Sequence, residues 1–147
     1  MRNDKRGIEG LPLRLMLVAL LISLTLPTML SVMHETTSNI AGEKAAEIAE
    51  DIAATVEDMS LGGPGNVRIV KVPGDLLANI LLSIGGENGT VDCARITWEA
   101  DGQEGARYLV GAVIVTDSGK PLKVTAGDSI RLECPPGTWG TVRVVKL

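Results

Sequence analysis

Enzymatic chemistry needs a nucleophile, a base or a ligand set, and this 147-residue chain offers few of them. Its single histidine, His34, closes an apolar stretch, so no imidazole serves as general base for the C-terminal part. The two cysteines, Cys93 and Cys134, stand far apart and far from that histidine, which is not zinc-ligand spacing. No Gly-x-Ser-x-Gly elbow or Walker loop occurs. Gly62-Gly63-Pro64-Gly65 is glycine-rich, but no strand pattern precedes it and no helix pattern follows it, so it does not read as a phosphate cradle. Acids abound, yet no spacing singles out a catalytic pair. The residues read as a protein without catalysis, metal or cofactor.

The elements explain why. Leu15 to Met33 carries no charge, only aliphatics broken by hydroxyls and Pro27. In a helix, its roughly nineteen residues span about 28 Å, close to a bilayer's hydrocarbon thickness. Arg2, Lys5, Arg6 and Arg14 precede the run and mainly acids follow it, so the basic end faces the cytoplasm and the chain beyond His34 lies outside. Arg14 snorkels to the interface. No small-x-small cleavage pattern follows Met33, which predicts that the apolar segment stays on the mature protein. Pro12 suits a first helical turn; Pro27 predicts a kink or melted turn, with Ser23 and Thr25 occupying the freed carbonyls.

From Thr36 to Ser60, the residues Ala41, Ala45, Ile48, Ile52, Val56 and Met59 recur at helical steps as a narrow apolar seam among acids. Thr37 or Ser38 could cap a restarted helix. The seam must bury against something, either the chain's own C-terminal part or the same helix of neighbouring copies. Glycines 62, 63 and 65 end the helix.

Everything further reads as β. Asn66–Val72, Thr90–Trp98, Ala106–Thr116, Leu122–Thr125, Ser129–Cys134 and Thr138–Lys146 are strand candidates, separated by turns such as Asp101-Gly102. Leu76–Ile84 fits a strand better than a short helix. Such spacing predicts an antiparallel sandwich or small barrel, and hence an α+β chain: a long hydrophobic-then-amphipathic helix followed by a β-rich head.

The head carries nine bases and nine acids past Leu61 and few aromatics, which argues against nucleic-acid binding. An oxidising location and an even cysteine count predict a Cys93–Cys134 disulfide, against the alternative of two buried thiols. Asn88-Gly89-Thr90 fits an N-glycosylation acceptor and equally a tight turn. Trp139, between glycines, fills core, covers a sheet edge or meets a neighbouring subunit.

The junction Lys5-Arg6-Gly7-Ile8 directly before a persistent apolar helix resembles the class III signal of type IV pilin-like proteins, particularly archaeal ones. The resemblance implies recognition of Lys5 and Arg6 by a prepilin peptidase and cleavage between Gly7 and Ile8. Cleavage there removes three bases and one acid, taking the formal charge from −4 to −6. It implies a leader over 1–7, a helix over 8–60 and an extracellular head over 61–147. The helix would leave the membrane for the core of a homo-oligomeric adhesive filament built by a pilus assembly machinery. Leu15, Leu17, Leu20, Leu21, Leu24, Ile48 and Ile52 would line that core. The chain departs from the family's pattern: Pro12 stands where bacterial pilins have a glutamate, Glu9 comes at the second mature position, and neither the Ser-Pro-Val/Ile start of many archaeal pilins nor the usual archaellin opening is present. The rival reading is an uncleaved single-pass anchor displaying a β binding domain.

Overall fold

The apolar run and the acidic seam join into one helix because nothing between them stops it: no glycine or proline stands from Thr28 to Ile40. A computed structural model describes residues 6–74 and 79–147, with side chains from 12 onward. Lys5 and most of the expected leader, and Leu76 to Ala78 of one expected strand, lie outside the described residues. Helix α1 covers Arg6–Gly62. Eight strands follow: β1 Val67–Lys71, β2 Ile80–Ile84, β3 Arg95–Ala100, β4 Gln103–Tyr108, β5 Val113–Thr116, β6 Leu122–Thr125, β7 Ser129–Glu133 and β8 Thr141–Lys146. The architecture is the α+β one expected. The chain divides into two compact units between Thr37 and Ser38.

In the first unit the side chains from Pro12 to Thr37 are exposed throughout. The helical assignment is unbroken through Pro12 and Pro27, so the melted turn expected at Pro27 is absent. Pro27 removes one ladder bond, at the Ser23 carbonyl. The neighbouring hydroxyls add bonds of their own: Ser23 donates to the Leu20 carbonyl, Thr25 to Leu21 and Thr28 to Thr25. They reinforce adjacent turns rather than occupying the freed carbonyl. Nor does a new helix begin at Thr37 or Ser38. Thr37 donates back to Met33, as a mid-helix threonine does, and Ser38 Oγ donates to the Asp101 carbonyl at 2.9 Å.

In the second unit, the helix from Ser38 onward lies against the strands. Ala41, Ala45, Ile48, Ile52, Val56 and Met59 are all buried, together with Ala49 and Ala53. Small side chains bring the helix close: a Cβ on Gly42 would stand 3.1 Å from Gln103 Cβ. Gly63 and Gly65, at φ +83° and +94°, then turn the chain into β1.

The strands form two four-stranded sheets, ordered β1-β7-β8-β5 and β4-β3-β2-β6. All pairings are antiparallel except β5 with β8. Alternation places Leu82, Ile84, Ile96, Val124, Ile114, Ile130, Leu132 and Val142 in one core with Ile52, Val56 and Met59 of α1. Asp101 and Gly102, at φ +46° and +82°, make the two-residue turn that sets Ala100 opposite Gln103.

Two expected strands are divided. Thr90–Trp98 opens as a 3-10 turn, Val91–Ala94, because the Thr90 hydroxyl and N–H both donate to the Glu87 carbonyl and bend the chain. Ala106–Thr116 is broken at Gly111 (φ +71°), so β4 and β5 enter different sheets. Trp98 lies flat over Gly105, where a Cβ would stand 2.4 Å from its ring, so the strand needs glycine there.

One ion pair ties the turn after β6 to the last strand. Asp128 accepts from Lys146 Nζ at 2.6 Å and from the Thr125 N–H and hydroxyl. The lysine first, then the two threonine donors, lower its carboxyl from 3.8 to about 2. Because the folded value is depressed, this contribution is complete above the unfolded value near 3.8 and is lost as pH falls through about 2. Asp128→Asn is therefore expected to flatten the pH dependence of the melting temperature between about pH 4 and 2 relative to wild type. Equal slopes in a thermal-melt series across that window would contradict it.

Candidate assembly surface

The sequence-predicted residues fall into two sets. Leu15, Leu17, Leu20, Leu21 and Leu24 all point outward, each more than half exposed. None of the apolar window is buried within the chain, and it is long and apolar enough to cross a membrane. Most hydroxyls on this part of the helix bond internally: Ser23, Thr25, Thr28, Thr36 and Thr37 each donate to a carbonyl three or four residues back. A helix so arranged presents almost no unmet polar demand to an apolar surround.

Ile48 and Ile52 belong to the other set, and their expected place in a filament core is corrected. Both are buried, Ile52 completely, against the chain's own β strands. The reason is the seam's alanines, which let the sheets close over it and leave no apolar stripe free on this half of the helix. The opposite face carries the acids. Arg107 of β4 reaches Glu50 at 2.6 Å and Glu57 at 3.5 Å, and Arg68 of β1 reaches Asp58 at 2.6 Å, so strands and helix are also tied at the rim. These pairs are largely solvated and fix register more than they stabilise.

The expected disulfide is corrected as well. Cys93 and Cys134 are free, buried thiols. Cys93 Sγ donates to the Glu87 carbonyl, in the 3-10 turn beside β5, and Cys134 Sγ to the Met59 carbonyl, just past β7. The two thiols serve separate carbonyls, one just before the 3-10 turn and one near the end of the helix. Burial raises the Cys134 thiol above its ordinary value.

Asn88 sits on an exposed loop, its Nδ2 donating to the Thr116 carbonyl at 3.2 Å. The tight two-residue hairpin read at Asn88-Gly89 does not form, since the 3-10 turn follows. Trp139 does not fill the core. It is 76% exposed and rests its ring edge beside Gly63, where the helix ends.

Catalytic geometry is sparse. Among the described residues no group of three or more His, Cys, Asp or Glu side chains gathers to hold a metal. A shallow concavity of about 400 Å³ on β2, β3 and β4 is lined by Leu81, Ser83, Thr97, Glu99 and Glu104. Glu99 and Glu104 face each other directly across two strands, a like-charge pair to which no base among the described residues forms an ion pair.

One surface went unread in the sequence: the edge of the first sheet. Val67 and Ile69 of β1 are 53% and 66% exposed. The signal was present in Val-Arg-Ile-Val-Lys, where bases at both phases of the alternation mark an edge strand. Compared with protein-family models, with curated proteins and with solved structures, the chain matches none.

Proposed function

We propose that the protein is the structural subunit of an extracellular type IV pilus-like filament, inserted in a membrane as precursor and cleaved between Gly7 and Ile8. The observation that carries this reading is the division of one helix by burial. From Ser38 onward α1 is built into the head, whereas the apolar part before it is exposed throughout, with hydroxyls that bond mostly to its own carbonyls. A helix of that kind requires a dry surround, and lipid or a bundle of identical helices supplies one equally well. Transfer from the first to the second keeps the surface dry and replaces lipid contacts by dispersion packing. The heads then form the outer layer, with Asn88 open to a glycan and the exposed strands open to the surface the filament attaches to.

A second reading rests on the same helix: an uncleaved anchor displaying the head as a binding domain. Processing separates the two. Gly7→Val, which puts a branched side chain at the proposed cleavage site, is expected to trap the full-length chain in the membrane and abolish filaments. Unaltered filaments from this variant would contradict the pilin reading and leave the anchor.

A further inference from the structure

We propose that β1 is a self-pairing edge, through which the heads of two copies join their first sheets into one continuous eight-stranded sheet across a two-fold axis. The inference does not depend on leader cleavage or on filament formation.

Among the described residues, strand β1 is the end of its sheet and pairs only with β7. Its hydrogen bonds to β7 come from the even-numbered residues. The Asn66 carbonyl accepts from Cys134, the Val72 N–H donates to Asp128, and the register between them pairs Arg68 with Leu132 and Val70 with Ile130. In an antiparallel ladder the alternate residues turn their backbone groups the other way. Val67, Ile69 and Lys71 therefore point both N–H and C=O at the open edge, and among the described residues no other backbone group bonds to them. Their side chains share the outer face, opposite half-buried Val70. An open edge with exposed apolar side chains is a template for another strand.

The strand's own sequence selects the occupant and the register. Centred on Ile69, two copies of β1 set Ile69 against Ile69, and Val67 against Lys71 at both ends. Each of these three pairs turns its backbone groups inward, so each exchanges two hydrogen bonds. No like charges meet. Centring on Arg68 or Lys71 places arginine on arginine or lysine on lysine, and centring on Val70 brings in Pro73, which has no N–H to give. Arg68, the base that could repel a partner on the inner face, is held at 2.6 Å by Asp58 of α1. The outer face gains a small cluster of four aliphatic side chains, Val67 and Ile69 from each copy.

A two-fold contact cannot repeat between neighbours of a single filament whose subunits all run one way. On the filament reading, and resting on it, the contact joins heads of separate assemblies or of separate cells; without filaments it joins two anchored heads.

The test uses the full chain in zwitterionic detergent micelles, followed by sedimentation equilibrium. Wild type is expected to show a concentration-dependent dimer. Ile69→Lys and Ile69→Glu each place like charges face to face at the axis and are expected to weaken the dimer roughly tenfold or more. Both should melt at the wild-type temperature, since Ile69 is largely exposed. An equimolar mixture of the two is expected to restore the dimer, which a folding defect could not do. A wild type that stays monomeric, an Ile69→Lys chain that associates as wild type does, or a mixture that remains monomeric would each overturn the proposal.

Discussion

Replacing Ile52 by alanine is expected to cost the head about 2–5 kcal/mol, while Leu24→Ala leaves its unfolding transition where it was. The two residues occupy the same helix and differ in one respect. Ile52 is completely buried among Val56, Met59 and the aliphatic residues of both sheets, whereas Leu24 is 63% exposed. Truncating Ile52 removes transfer free energy and leaves a cavity that interdigitated β-branched neighbours fill poorly. A domain of this size has a total stability of roughly 5–15 kcal/mol, so the loss is a large share of it. Chemical denaturation of the full chain in detergent, followed by far-UV circular dichroism and by tryptophan fluorescence, measures both variants. Equal effects at the two positions would mean that the burial boundary near Ser38 is wrong.

The second large effect runs the other way. Leu21→Arg is expected to leave the head's melting temperature unchanged and to remove the subunit from filaments, with at least a tenfold fall in the sheared fraction. Leu21 lies near the middle of the apolar run and is more than half exposed. A guanidinium at a helix centre costs about 2.5–3.5 kcal/mol on insertion scales. In a packed bundle it meets the same cost at every copy, with no carboxylate at that depth to answer it, since Leu15 to Met33 carries no acid. Quantitative immunoblotting of sheared and membrane fractions reads the result. Filaments at wild-type yield would show that this face of the helix is not in an apolar core.

Much of the fold was legible because hydrophobic period and glycine placement speak to local geometry. The seam from Ala41 to Met59 is buried as its spacing requires, and the chain turns from helix to β at Gly63. Leu122–Thr125 is a strand with the bounds read from its alternation. What the sequence hid was non-local. Whether Cys93 meets Cys134 depends on where the 3-10 turn and the end of β7 come to lie, and each thiol bonds a different carbonyl. Thr90 looks like a strand residue until its hydroxyl is seen bonding the Glu87 carbonyl. Ile52 reads identically whether it faces a sheet or a neighbouring helix, because both are apolar. Trp139 was ambiguous for the opposite reason: a large ring among glycines has no period to place it. The β1 edge depends on sheet order, which alternation alone does not specify.

On the function proposed above, the helix is carried out of the membrane on a processed subunit. The most direct test of this is the intact mass of the protein sheared from the surface of native cells. The expected result is a chain that begins at Ile8, present in a fraction that contains filaments, with any mass beyond that attached at Asn88. A full-length chain recovered only from the membrane would contradict it and establish the protein as an anchored display domain.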